Sequence, residues 1–299
     1  MSFTSYLQPI RVTVIGASKS PVNRRQKSLE RLNKELSRGN YETALSLVKQ
    51  LNGKYGCLPS FGSAKLLSKK LQYMTRKTNL LELRSLIDSV YRSIESVYVE
   101  EDSVKIVKEE ETKTSPEEDW FAVVQHESGH FLVGYLLGVL PRHYEIPKLE
   151  DLRQNVSNVT GRVEFVGFEF LKQVGAAEQL MKDDAVGQIH LSDTQGNISS
   201  KTLNNFSCVI LGGMVTEHIL FGYSEGFYSD VIKLNSVLRW RGFTEIEKEA
   251  HIKWAVSNTV SLLHYHNEAR VSLAEAMAKS KPIGECIEAI EFAISKHQI

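Results

Sequence analysis

The chain has 299 residues, with 36 basic side chains balanced by 36 acidic ones, which excludes a polyanion as its defining partner; no nucleic-acid binding is expected. Three cysteines, Cys57, Cys208 and Cys286, are odd in number and scattered, which excludes a disulfide framework or a cysteine zinc site and points to a reducing compartment. The length allows one large domain or two.

Residues 1–29 hold no Asp or Glu but carry Arg11, Lys19, Arg24, Arg25 and Lys27 among several serines. A basic, serine-rich, acid-free start has the composition of an organelle transit peptide, and the expectation is that it is dispensable for the fold. The competing expectation is a strand over Arg11–Ile15 opening a nucleotide-binding unit. However, Gly16-Ala17-Ser18-Lys19-Ser20 lacks the first glycine of a P-loop. From 30 to 99 the apolar residues recur at helical steps, as in Leu32, Leu36, Ala44, Val48 and Leu51, and again over Leu80–Ile94. A helical N-terminal module is expected there. Residues 100–119 contain nine acids against three lysines, the pattern of a solvated linker, with a short strand expected at Val104–Val107. Ser115 or Thr114 would cap the next helix, with Pro116 in its first turn and Glu117, Glu118 and Asp119 near its positive end.

That helix, expected to run to about Val139 before Pro141, is apolar nearly all round and contains His126-Glu127-Ser128-Gly129-His130. The pattern is H-E-x-x-H. Positions i and i+4 share a helix face, so both imidazoles can meet one ion while Glu127 lies beside its open position. Zn²⁺ suits two imidazoles and a carboxylate, and the glutamate would serve as general base. A five-residue pattern also recurs by chance on core helices. Gly129 costs helix stability, and its use would be to let another backbone approach closely.

Downstream, Gly161–Phe170 reads as a strand, either an edge for an extended substrate or an internal strand of the core. Lys182–Ser200 reads as a loop and Lys201–Phe221 as a buried helix ending at Gly222. A polar loop, Tyr223–Ser229, precedes a helix opening at Asp230. A long helix is expected over Ile246–Ser280, and a last one over Glu285–Lys296. The longest apolar run near the motif, Phe131–Leu140, is half the length of a membrane span, so no transmembrane segment is expected.

Two histidines need a third ligand. The metzincin spacing would put a histidine at position 136, which is leucine. Glu145 and Glu150 lie on no clear helix facing the motif. His190, His218, His251, His264 and His266 have no useful spacing. Glu217, on the buried helix, and Asp230, where a polar loop meets a helix, are the candidates. A mid-helix Glu217 could instead hydrogen-bond a histidine ligand from behind.

HESGH followed by LLGVLP, then VILGGMVTEHILFG over Val209–Gly222, then Ser229-Asp230-Val231 before a helix, resembles the peptidase domain of the FtsH family. The resemblance covers about Trp120–Ser295, so a peptidase domain is expected over 120–299, and it implies a mostly α fold with a small β element. It also implies zinc held by His126, His130 and Asp230, Glu127 as catalytic base, and Glu217 as a buried supporting residue. His218 stands where the family has a second acid. The family's membrane helices and ATPase module are not seen ahead of the motif. The loop before Asp230 is one residue shorter than in the family, which keeps Glu217 a rival ligand. Members lacking the motor are typically plastid proteins of plants and algae. The expectation is a zinc endopeptidase of a chloroplast, acting on peptides or unfolded segments. It would have peripheral thylakoid or envelope association, and a separate ATPase or peptidase-like subunits as partners. The rival expectation is a catalytically silent scaffold or adaptor subunit.

Overall fold

Ser115 opens the central helix with a reciprocal cap. Its Oγ accepts from the Glu118 amide at 3.3 Å, while the Glu118 carboxylate accepts from the Ser115 amide at 3.0 Å. The computed structural model describes residues 21–53, 57–67, 80–101, 115–154, 160–183, 197–224, 226 and 228–296. Within them, helix α4 (Pro116–Leu136) carries the motif and is buried from Val124 to its end. It stops three residues before the expected Val139. Gly138 takes a left-handed φ of 77°, and the Val139 amide returns to the Gly134 carbonyl at 2.9 Å. Glycine, rather than Pro141, ends this helix. Two carbonyls of its last turn, Tyr135 and Leu136, accept from the Gly62 and Ala64 amides, each at 3.0 Å.

Ahead of α4 lie α1 (Pro21–Ser37), α2 (Tyr41–Gly53) and α3 (Leu80–Glu101); after it come β1 (Pro141–Glu145), α5 (Leu149–Arg153), β2 (Arg162–Phe165) and α6 (Leu171–Asp183). The remaining helices are α7 (Ser200–Ile210), α8 (Gly212–Phe221), α9 (Tyr228–Trp240), α10 (Glu245–Tyr265), α11 (Asn267–Ala278) and α12 (Ile283–Lys296). The chain is mostly helical, with one antiparallel pair of strands among the described residues. Its register is Tyr144 opposite Val163 and Glu145 opposite Arg162, with an irregularity between Pro141 and His143. The strand expected over 161–170 is thus only its first half. The helix expected over 201–221 is two helices meeting at Leu211, and the one expected over 246–280 breaks at His266.

The boundary expected at residue 29 falls inside α1. Leu29 is buried, its carbonyl lies against Gly284 of α12, and Arg25 pairs with Glu288 at 3.2 Å. Removing residues up to 29 would therefore strip half of a packed helix. Leu32, Val48 and Ile94 from residues 30–99 belong to the same continuous core as Leu132, Met214, Leu273 and Ile290. The acid-free residues 1–20, the strand expected at Val104–Val107, and most of the 182–200 loop lie outside the described residues. No helix among those described is long and apolar enough to cross a membrane.

Candidate metal centre

Helix α4 crosses α8 where both have glycine. A Cβ on Gly129 would sit 2.2 Å from the Gly212 carbonyl oxygen, and one on Gly212 would sit 2.7 Å from the Gly129 oxygen. The next residue, Gly213, faces His126, whose ring a Cβ there would meet at 2.3 Å. The GG pair thus lets the helices touch at one residue and admits the imidazole at the next.

His126 and His130 then stand one turn apart, with Nε2 atoms 2.9 Å from each other. From the first turn of α9, Asp230 brings its Oδ2 to 3.1 Å from both Nε2 atoms. All are nearly out of solvent, at 8% exposure for His126, 7% for His130, 4% for Asp230 and 5% for Glu127. The other ring nitrogens fix the tautomers. His130 Nδ1 lies 2.7 Å from the Val209 carbonyl oxygen, which can only accept, so this nitrogen carries the proton. His126 Nδ1 lies 2.6 Å from Glu217 Oε1 and donates to that carboxylate. Both Nε2 atoms of neutral imidazoles therefore present lone pairs, and Asp230 presents a third acceptor. Three acceptors converge at hydrogen-bond distance with no proton to share among neutral rings. Such a set calls for a cation, and His126, His130 and Asp230 could hold a metal ion. Tetrahedral ligands at about 2.0–2.1 Å from zinc stand roughly 3.3 Å apart, close to the spacing here.

Of the two candidate third ligands, the geometry brings Asp230 to the imidazoles' free nitrogens and puts Glu217 behind His126. Glu217 also accepts from Ser224 Oγ at 2.5 Å and from the Gly226 amide at 3.4 Å, so both of its carboxylate oxygens are engaged behind His126. Asp230 follows as electrostatics require. Burial would raise its pKa, but the imidazoles of His130 and His126 outweigh this and hold it far below the carboxylate range. For His126, burial favours the neutral ring, yet Asp230 and Glu217 override it and raise the pKa; without a metal, a proton takes the metal's place.

Glu127 is the buried acid left over. Its Oε2 finds no hydrogen-bond partner among the described residues. Burial pushes its pKa up, opposed by His130 and His126, so it is poised to exchange a proton. Gly161, just before β2, gives it room, since a Cβ there would lie 2.8 Å from Glu127 Oε1. These groups line a cleft of about 880 Å³ together with Arg162, Val163 and Phe165 of β2 and with Phe168 and Phe206.

Other sequence candidates go elsewhere. Glu145 pairs with Arg162 at 3.1 Å. His218 points toward α3, with Ser89 Oγ 3.4 Å from its Nδ1, and His251 bonds Ser207 at 2.9 Å. Three contributors were missed by sequence reasoning: Gly161, the Val209 carbonyl and Lys233. Only Lys233, three residues after Asp230 and so on the same helix face, left a signal in the spacing.

Comparison with protein-family models, with curated proteins and with solved structures returns no match. The resemblance to FtsH-type peptidases rests on the quoted motifs alone.

Proposed function

We propose that this chain is a zinc-dependent endopeptidase that hydrolyses peptides or unfolded protein segments. One observation carries the proposal: two imidazole lone pairs and a carboxylate converge beside Glu127, whose Oε2 has no hydrogen-bond partner among the described residues, in a cleft of about 880 Å³. A zinc ion held by His126, His130 and Asp230 would supply Lewis acidity, easing proton loss from water and polarisation of a peptide carbonyl. Glu127 takes that proton as the water attacks and returns it to the leaving amine. β2 borders the cleft and pairs with β1 alone among the described residues, so its other edge offers backbone groups to an extended substrate. Because the reacting groups are almost wholly buried, a folded protein cannot reach them; the substrate must arrive unfolded or be fed in by a separate unfoldase. A plastid location is proposed from the acid-free composition of residues 1–20.

The test is cleavage of unfolded casein and of a quenched-fluorescence peptide by zinc-loaded wild type beside Glu127→Gln. Cleavage by wild type that Glu127→Gln abolishes while keeping its metal supports the proposal. A metal-loaded wild type that cleaves neither points to the silent scaffold instead.

A further inference from the structure

We propose that Lys233 is a further catalytic residue, the electrophile that stabilises the oxyanion formed when the peptide carbonyl is attacked. The inference rests on the hydrolytic reading above and adds a second electrophile beside the metal's Lewis acidity. As water oxygen bonds to the carbonyl carbon, its proton passes to Glu127 and the carbonyl π pair moves onto oxygen, leaving a charge that a donor can stabilise. A preorganised cation at that oxygen is the standard means of lowering such a barrier. When the tetrahedral centre collapses, the C–N bond breaks, its electron pair stays on nitrogen, and nitrogen takes the proton from Glu127. Lys233 keeps its charge throughout and only donates a hydrogen bond.

The two oxygens of Asp230 divide the work. Oδ2 faces the imidazoles, while Oδ1 lies 3.6 Å from Lys233 Nζ. The ammonium is therefore anchored one helical turn from the metal ligand and lines the same cleft as Glu127. That 3.6 Å separation is a charge contact rather than a hydrogen bond, and among the described residues the N–H groups have no acceptor, so they can meet a substrate oxygen. The side chain is 56% exposed, so a substrate can reach it. Arg162, the other Lys or Arg among the lining residues, is held by Glu145 at 3.1 Å. A plain surface ion pair of the i, i+3 type would account for the Asp230 contact alone, and it makes a different forecast.

The experiment compares zinc-loaded wild type with Lys233→Met and Lys233→Arg. It measures zinc content, kcat and KM on one peptide, and binding of a phosphinic pseudopeptide whose tetrahedral anion imitates the attacked carbonyl. Binding of the uncleaved parent peptide to Glu127→Gln, with and without Lys233→Met, gives the ground-state reference. Lys233→Met is expected to keep its zinc, lower kcat about 10–100-fold with KM changed less than about twofold, and weaken the phosphinate by a similar factor. The parent peptide should bind as before, and Lys233→Arg should recover most of the loss. Loss of zinc, equal weakening of parent peptide and phosphinate, unchanged phosphinate affinity, or no phosphinate binding to wild type would each overturn it. If wild type cleaves nothing yet phosphinate binding depends on Lys233, the oxyanion site stands and the peptidase reading falls.

Discussion

His126 shows how much of this site depends on groups behind the ligands. Its Nε2 can face a metal only because Nδ1 is committed to Glu217, which is itself held by Ser224 and Gly226. Removing such a rear partner typically costs 10–100-fold in metal affinity. Glu217→Gln should therefore weaken zinc by about that factor, whereas Asp230→Asn should lose more, as read by competition with a zinc chelator. An emptied site in Glu217→Gln with a full one in Asp230→Asn would reverse the assignment. The same residues set a pH dependence. The raised pKa of His126 means the metal-free site gains stability from protonation, present in full below the ordinary histidine pKa and lost as pH rises through the raised value. Zinc binds the deprotonated form. The thermal stabilisation by zinc over chelator-treated protein should therefore grow from mildly acidic to alkaline pH. A shift that stays flat with pH would contradict this.

At the scale of elements, the crossing of α4 and α8 aligns the two halves of the site, His126 and His130 on one helix and Glu217 on the other. Gly129→Ala would drive a methyl into the Gly212 carbonyl, which must move because backbone cannot rotate away. Overpacking of this kind costs about 1–3 kcal/mol, more than the roughly 1 kcal/mol that alanine gains in a helix. Denaturant unfolding should show net destabilisation, together with weakened zinc affinity; a variant as stable as wild type would show that the helices are free to separate. The motif helix, its Ser115 cap and the need for a small residue at 129 were legible in the sequence, because each is a local pattern with a local cause. The break at His266 was not, since no glycine or proline stands there, and the one at Leu211 is marked only by the Gly212-Gly213 that follows, which a buried apolar run carries inside one helix. β1 was hidden as well. Its sequence, PRHYE, lacks a run of β-formers and becomes a strand only by pairing with β2.

For the molecule as a whole, early and late segments close around α4. Tyr135 of α4 donates its hydroxyl to Glu291 of α12 at 2.6 Å, and Ser60 donates its amide and its Oγ to the same buried carboxylate at 3.0 and 3.1 Å. Together with the α1–α12 contacts, this ties the segments ahead of α4 into the same core as α4 and α12. The expected division into modules at residues 29 and 99 was drawn from composition, which registers charge and punctuation but cannot see helices meeting across the fold. A chain lacking residues 1–20 keeps all of α1 and serves as the reference. One lacking 1–29 should be markedly less stable, because Leu29 and the Arg25–Glu288 pair are lost. Equal stability of the two truncations would show that α1 contributes nothing before its midpoint.

The central claim is that His126, His130 and Asp230 form a zinc centre, and zinc K-edge X-ray absorption on the purified chain, with the metal counted per molecule, tests it most directly. The expected result is about one zinc per chain in a shell of nitrogen and oxygen at about 2.0–2.1 Å, with imidazole scattering from two rings and no sulfur at about 2.3 Å. His126→Ala and Asp230→Ala should each abolish that signal. A wild-type chain that stays metal-free in added zinc, or a spectrum carrying sulfur ligands, would contradict it.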